Sequence, residues 1–477
     1  MGVTLLAADE QGREAGPSHQ VSKSKVVFIT VLFVLALATF VFQTEFTSHV
    51  YQLGFEEPIV LLLVTHGLWW ILWPTQVILV AGMRTFRDMG QQSFRSSYEN
   101  IQYRRVSDTQ EDHDELEGPN KNEYAGLRHM AKYFRKYINK QIRNVYHTSI
   151  LIYEAVINND TSTITCRDLI KKHPRLNNDG VFACAISAVK TPSLKYIFVR
   201  CFIIAFLLTI AGLTWYAAVA MTYAADVTAI YNSSAFSAYA FAIPILNERF
   251  SWLKTNSVII AIAGVFVVAY CGQNNDNGGV GVTYPHRFLG NVIILVGSVL
   301  YGYYEVIYKK YVCIPAHLAL LITPRRQLTF ANFAMSLLGL YTVVILGVCI
   351  LILHVTGIHR FNFFNYGDKT KEIWCFISGS IVSNLSFSAL FLSLMALTGP
   401  VLSSVSALLT IFLIGLVEWI FLGNPLTMPQ LVGDLLVIVG FVMLTVASWK
   451  EISEGNTDDD DYDDESVSAQ SFAARHS

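Results

Sequence analysis

Long apolar runs separated by short polar segments dominate this chain of 477 residues. Ten of the runs come close to the length, about 20 residues, that a helix needs to cross the hydrocarbon core of a bilayer. The runs are continuous and lack the alternation of barrel strands, so the predicted element is a membrane-spanning helix. The predicted spans are 26–46, 57–82, 197–221, 226–246, 255–272, 288–308, 331–355, 373–395, 400–422 and 428–449.

The fourth and fifth spans share their pattern with the ninth and tenth. At one fixed offset, the aligned pairs are Thr222 and Thr398, Leu246 and Leu422, Ile262 and Ile438, and Gly264 and Gly440. Five spans in each half is an odd number, so the second half would enter the membrane from the opposite side. The pattern predicts an all-α membrane protein with ten transmembrane helices in a 5+5 inverted repeat.

Polar segments flank and interrupt these spans. We predict a disordered cytosolic N-terminus (1–24), helices 1 and 2 (25–83), a partly disordered cytosolic insertion (84–195), helices 3–5 (196–272), helices 6–10 (286–449) and an acidic disordered cytosolic tail (450–477). Within the insertion, residues 123–157 have the pattern of a basic amphipathic helix. That helix either lies on the anionic cytosolic leaflet or packs on loops of the protein itself, and the pattern does not decide between the two.

Composition separates this chain from ordinary soluble enzymes, because 53% of its residues are hydrophobic, 15% are charged and the mean hydropathy is +0.42. Lysine and arginine precede the first span and follow the second, fourth and sixth, which predicts that both termini are cytosolic. Arg360, Lys369 and Lys371 are exceptions to this distribution. The seven cysteines form no CxxC or Cys/His cluster, so neither a disulfide framework nor a zinc site is predicted.

Motifs of catalysis are missing from the sequence. It has no GxxxxGK[ST], HExxH or GxSxG pattern. We therefore expect no enzymatic activity, no cofactor and no metal. His66 has no acidic partner at helical spacing and is interpreted as an interfacial or hydrogen-bonded group, and Trp69 as an interface or packing aromatic. The expected partners are a small-molecule solute and the lipid bilayer. A homodimer is compatible with the sequence, and no binding of nucleic acid is expected.

Polar side chains recur at helical spacing on four otherwise apolar spans. Polar groups are costly in hydrocarbon, so these faces should meet one another or a watery cavity. Tyrosines, small hydroxyls and amides suit a small organic solute with an aromatic or heterocyclic part. The predicted substrate-binding residues are Thr228, Tyr231, Asn232, Tyr239, Tyr301, Tyr304, Asn384, Ser403 and Ser406.

Each of these polar positions also has a purely structural interpretation. Small residues at four-residue spacing let helices pack closely, as Ser234, Ala238 and Ala242 would. Glu305 and Glu418 are the candidates for proton or ion coupling, because a buried carboxyl is costly unless it binds something or carries a proton. Both lie within a turn or two of a predicted span end, so an interfacial role for them stays open.

The segment TYAADVTAIYNSSAFSAYAFAIPILNERFSW (222–252), followed by the AIAGVFVVAY span, resembles solute carrier family 35, subfamily F. This family belongs to the drug/metabolite transporter (EamA-like) superfamily. The tyrosine-rich YGYYEVIYKKYV (301–312) and the Thr-Gly-Pro entry at 398–400 fit the same pattern. The resemblance covers the ten spans and implies the ten-helix inverted-repeat fold, alternating access and a Golgi or vacuolar/endosomal membrane. Relatives include nucleotide-sugar exchangers and proteins proposed to carry thiamine.

Together these observations predict a secondary-active transporter of a small polar organic solute. The resemblance implies a thiamine-like or nucleotide-sugar-like metabolite, and no residue pattern selects between them. The alternative is a transport-inactive membrane scaffold or receptor that acts through its cytosolic insertion. A membrane-embedded transferase is the weakest candidate, because no catalytic constellation is visible.

Overall fold

We analysed a computed structural model of the full chain. It describes residues 23–106, 120–157, 170–177, 180–221, 227, 230–231, 233–247, 250–271, 286–315, 318, 322–398 and 428–454. Within these ranges every regular element is a helix. Residues 1–22 of the predicted N-terminal segment (1–24), most of the tail and the ninth predicted span (400–422) lie outside them.

Twelve α-helices are described. They are α1 (Lys23–Gln52), α2 (Pro58–Gly67), α3 (Leu72–Val106), α4 (Asn120–Ile157), α5 (Val181–Val189), α6 (Pro192–Met221), α7 (Ser234–Leu246), α8 (Trp252–Cys271), α9 (Arg287–Tyr311), α10 (Pro324–Val355), α11 (Thr370–Thr398) and α12 (Met428–Glu454). A 3₁₀ turn, Leu68–Ile71, joins α2 to α3, and a second one, Gly367–Lys369, precedes α11.

Six candidate membrane spans are found by length and apolar composition in the described part of the chain: Thr30–Tyr51, Pro58–Gly90, Pro192–Val219, Phe288–Tyr311, Arg325–Val355 and Gly367–Phe391. Two shorter apolar helices, Ser234–Leu246 and Leu431–Leu444, accompany them. The protein is therefore an all-helical membrane protein. The second span differs most from its predicted limits, because α3 continues as a helix to Val106 instead of ending near residue 82.

Antiparallel helix pairs build the bundle. Helix α1 packs on α11. Thr47 is hydrogen-bonded to Ser380 (Oγ1–Oγ 3.0 Å), and seven residues earlier on α1 the Phe40 ring lies 4.9 Å from the tilted ring of Phe387. Helix α6 packs on α9, also antiparallel. Arg200 of α6 lies over the Tyr311 ring of α9, and Thr214 further along α6 lies against Gly297, which is earlier on α9. Helices α2 and α10 pair similarly, and so do α8 and α12.

Helix α7 runs alongside α9 at very short distance. A Cβ added at Gly302 would lie 2.6 Å from the Ser234 carbonyl and 2.7 Å from the Ala238 nitrogen, so only glycine permits this approach. Ser234, Ala238 and Ala242 are all buried, which confirms the interpretation of these residues as a packing seam. The helix ends at Asn247, whose φ of 56° is the left-handed conformation that asparagine tolerates at a helix C-terminus.

The helix α4 in the insertion packs into the bundle. Its second half contributes Tyr146, Ile150 and Leu151, all fully or almost fully buried, to a cluster that also contains residues of α6, α9 and α10. Its first half meets α3, where the Tyr137 hydroxyl donates to Asp88. The polar end of α3 thus packs against α4, and the hydrophobic pattern of the sequence does not predict this contact.

Candidate functional site

A cavity lies among helices α1, α2, α6, α7, α9, α10 and α11. It leaves about 80 Å³ for the centres of water-sized molecules, whereas one water needs only about 10–15 Å³ of such space. The lining consists of Phe40, Gln43, His66, Trp69, Leu208, Gly212, Trp215, Tyr216, Tyr231, Ser234, Tyr301, Tyr304, Glu305, Met335, Asn384, Phe387, Ser388 and Phe391. The bundle therefore encloses a central space with room for several waters or a small solute.

One wall of the cavity is a row of tyrosines. The Tyr301 ring lies 5.0 Å from the ring of Tyr231 and 5.2 Å from that of Tyr304, measured between centroids. Tyr301 and Tyr304 are adjacent because residues three apart on α9 share a helix face. Tyr231 comes from the short segment before α7. This wall offers aromatic faces and hydroxyl groups together.

A polar cluster forms another part of the site. The Trp69 indole Nε1–H donates to Asn384 Oδ1 over 2.6 Å, which joins the 3₁₀ turn after α2 to α11. Thr65 is 2.9 Å from the Tyr216 hydroxyl and 3.1 Å from Nδ1 of the neighbouring His66. These bonds hold aromatic side chains of three helices in fixed positions, as a preformed binding site requires.

Glu305 is the acidic residue of the lining and is fully buried. It lies close enough to Tyr231, Tyr301 and Tyr304 to interact with them electrostatically. No lysine and no arginine is found among the described residues of the lining. A carboxyl surrounded by aromatic faces can attract a cation both by its charge and through cation–π contacts.

The structure brings five of the predicted site residues together. They are Tyr231, Tyr301, Tyr304, Asn384 and Glu305. Tyr239 is buried away from the cavity, where its hydroxyl contacts the Ser251 carbonyl (3.2 Å) and Thr255 Oγ1 (3.1 Å) and so ties α7 to the start of α8. The remaining predicted residues, Thr228, Asn232, Ser403, Ser406 and Glu418, lie outside the described residues.

Several lining residues were not among the predicted ones. His66 and Trp69 were interpreted from the sequence as interfacial or packing groups, and Gln43 and Tyr216 belong to none of the four polar stripes. A polar stripe is visible only where several polar groups repeat at helical spacing. In the described part of the chain, no group of three His, Cys, Asp or Glu side chains could hold a metal ion.

One comparison with known proteins agrees with the membrane spans, namely the similarity to a curated transporter. No family model matches the chain. Over 224 residues it is 25% identical to an uncharacterised transporter of Schizosaccharomyces pombe, an alignment that covers 47% of this chain and 61% of the relative. One protein crystal structure also overlaps this fold, over 65% of this chain and 88% of the chain in that structure, with a TM-score of 0.37 and 11% identity. The chain is thus a multi-pass helical membrane protein that is similar to a transporter.

Proposed function

We propose that this protein is a secondary carrier that moves a small organic cation with a heterocyclic part across an internal membrane. The observation that carries the proposal is the cavity: aromatic side chains and the buried carboxyl of Glu305 surround it, and the lining residues that the structure describes include no basic one. A thiamine-like solute would match this chemistry. The solute would be bound midway through the membrane and released by alternating access.

The same cavity chemistry disfavours a nucleotide sugar. A diphosphate carries negative charge and is normally bound by arginine or lysine, often through paired hydrogen bonds. The ionised carboxyl of Glu305 would repel such a group, and the described part of the lining has no basic residue to neutralise it. Of the two solute classes implied by the resemblance to solute carrier family 35, subfamily F, we therefore propose the cationic one.

Contacts between α8 and α12 support the inverted repeat on which alternating access depends. A Cβ at Gly264 would lie 2.6 Å from the Gly433 carbonyl, and one at Gly440 would lie 2.7 Å from the Ser257 carbonyl. The offset that aligns Gly264 with Gly440 also aligns Ser257 with Gly433. Each contact is therefore the repeat-related copy of the other, as in an interface formed about a twofold axis.

The direction of the two helices adds to this argument. Going from Gly433 to Gly440 along α12 corresponds to going backwards along α8, from Gly264 to Ser257. The helices are antiparallel, so a twofold axis that exchanges them lies perpendicular to both. Helices that cross a membrane place such an axis in the membrane plane, which is the arrangement of an inverted repeat.

Two further helix pairs fit the same symmetry. Helix α1 contains the first predicted span and packs on α11, which contains the eighth. Helix α6 contains the third and packs on α9, which contains the sixth. A five-plus-five repeat exchanges the first span with the sixth and the third with the eighth, so it converts one pair into the other. We propose that the ten-helix fold is completed by segment 400–422, with both termini cytosolic.

Transport by purified protein in liposomes tests the proposal. We expect uptake of radiolabelled thiamine and none of a labelled nucleotide sugar. Tyr301→Leu should abolish uptake, whereas the matched variant Tyr303→Leu should retain it, because Tyr303 packs on Phe241 outside the cavity. Uptake of the nucleotide sugar alone would overturn the proposed solute class. Equal uptake by the two variants would remove the cavity from the transport path.

A further inference from the structure

Helix α5 presents an apolar face that the protein does not cover. Phe182, Ile186 and Val189 are 84%, 52% and 47% exposed, and their spacing places them on one side of the helix. The opposite side, with Cys184 and Ala188, is buried in the cluster shared with α4 and α6. The helix is therefore fixed to the bundle by one face while its larger apolar side chains point outward.

The position of α5 relative to the bilayer follows from the neighbouring span. Only two residues separate α5 from α6. Along the exposed side of α6, Lys195 is followed by the apolar residues Val199 and Phe202. Four residues of helix correspond to about 6 Å. This order of side chains would place the edge of the hydrocarbon region about one helical turn beyond Lys195, and α5, two residues before α6, at the level of the lipid headgroups.

The surroundings of α5 are basic. The exposed charged residues described between 170 and 195 are Lys171, Lys172, Arg175, Lys190 and Lys195, all of them cationic. In the sequence, Asp179 just before the helix is the acidic residue of this stretch, and it lies outside the described residues. Basic residues next to an apolar helix face are attracted to anionic lipids while the apolar side chains enter the boundary between headgroups and acyl chains.

We propose that α5 is an interfacial helix whose Phe182, Ile186 and Val189 insert into the leaflet on the side of the insertion, and whose flanking lysines and Arg175 select anionic lipid headgroups. This leaflet is the cytosolic one in the proposed topology, and cytosolic leaflets carry the anionic lipids. The helix anchors the insertion to the membrane next to α6. The proposal does not depend on the transported solute.

Site-specific photocrosslinking of the full-length protein tests this anchor. Photoreactive p-benzoylphenylalanine replaces Phe182 or Ile186 in protein reconstituted into vesicles of phosphatidylcholine and phosphatidylserine, and adducts are identified by mass spectrometry. Val199 is the matched lipid-facing position, and Lys132, exposed on the first half of α4, is the polar one. We expect lipid adducts at 182 and 186 in yields similar to those at 199, and few at 132. Adducts with the chain itself or with a second copy, or yields as low as at 132, would overturn the proposal.

A second arm tests the choice of lipid. We expect phosphatidylserine to be enriched among the adducts at 182 by about twofold or more over its share of the vesicle. The triple variant Lys171→Gln, Lys172→Gln, Arg175→Gln should bring the share of phosphatidylserine down to that of the vesicle without changing the total yield of lipid adducts. An unchanged enrichment in this variant, or none in the parent protein, would overturn the role of the basic residues.

Discussion

Glu305 restricts what the cavity can hold more than any other side chain of its lining, because it introduces an acidic group among aromatic rings. We expect Glu305→Gln to reduce uptake of a cationic solute about tenfold or more, the loss that follows when a charge-assisted hydrogen bond is removed. Glu305→Asp should restore part of it. The measurement is initial uptake into liposomes, compared for thiamine and an uncharged pyrimidine analogue.

Glu57→Gln is the matched control for that variant. Glu57 is also a buried carboxyl, but it binds His359 Nε2 (2.9 Å) and the Asn362 backbone nitrogen (3.0 Å) between two loops away from the cavity. Its replacement should lower thermal stability and leave the preference between the cationic and uncharged compounds unchanged. The same loss of preference in both variants would contradict a specific role for Glu305.

The bond between Trp69 and Asn384 leads to a second prediction. Trp69→Phe keeps an aromatic ring but removes the donor to Asn384 Oδ1, and an unsatisfied buried acceptor costs about 1–3 kcal/mol. We expect a lower unfolding temperature and a higher KM for uptake. The control is Trp70→Phe, because Trp70 is 46% exposed and does not line the cavity. Equal effects of the two variants would show that the bond does not shape the site.

Residues of the site could be predicted where polar groups repeat at helical spacing, as on α9 with Tyr301, Tyr304 and Glu305. Other residues of the site could not be predicted, because the backbone departs from an ideal α-helix at two places. A 3₁₀ turn lies at Leu68–Ile71, and the period of 3.6 residues per turn does not apply in it. The α-helical period therefore cannot relate the orientation of Trp69 to that of His66. A turn at Ser233 interrupts the predicted fourth span, which separates the orientation of Tyr231 from that of Tyr239.

At the scale of helices, the crossing of α8 and α12 depends on glycine. Gly264→Val and Gly440→Val would each press a side chain against backbone atoms that cannot move independently, at a cost of about 1–3 kcal/mol. We expect similar losses of folded protein for both, because repeat-related positions make the same contact. Gly347→Val is the control, with nothing within 4 Å of an added Cβ. Fluorescence-detected size-exclusion chromatography after heating measures the effect, and a loss at only one of the two glycines would contradict the symmetry.

Docking of α4 should depend on pH through His147. Burial, and then the charges of Arg326 and Arg143, lower the pKa of this histidine from 6.5 to about 4. The folded state therefore binds fewer protons than the unfolded state between these values, so the stability of this region falls as the pH drops from about 6.5 towards 4. Allowing for partial exposure, the loss is on the order of 2 kcal/mol.

Hydrogen exchange of the α4 amides at neutral and acidic pH measures this loss. We expect faster exchange at acidic pH in the parent protein and a smaller increase in His147→Gln, which cannot gain a proton. The nearby pair of His173 and Glu154 (2.9 Å) is present in both proteins, so the difference between them isolates His147. An identical pH response in the two proteins would assign the effect to other groups.

For the whole molecule, the apolar runs predicted most of the helices, because spans of about 20 apolar residues have few alternatives to a membrane helix. The hydrophobic pattern did not predict how the insertion packs on the rest of the protein. Its helix α4 has basic and apolar faces that fit a membrane surface as well as a protein groove, and only the buried contacts of Tyr146, Ile150 and Leu151 distinguish the two for its second half. The pairing of helices likewise depends on contacts between residues distant in sequence.

Sidedness is the property of the whole molecule on which the proposed transport cycle depends. If the halves are inverted, the turn after α7 at Asn247 and its repeat-related turn at Gly423 must face opposite sides of the membrane. We expect an epitope inserted at Asn247 to be accessible from the side of the insertion, together with one at Lys132, and an epitope at Gly423 to be accessible from the other side. Selective permeabilisation of cells followed by antibody staining measures this. Staining of all three epitopes from one side would show that the halves are not inverted, and a cavity rocking between two such halves could not then explain transport.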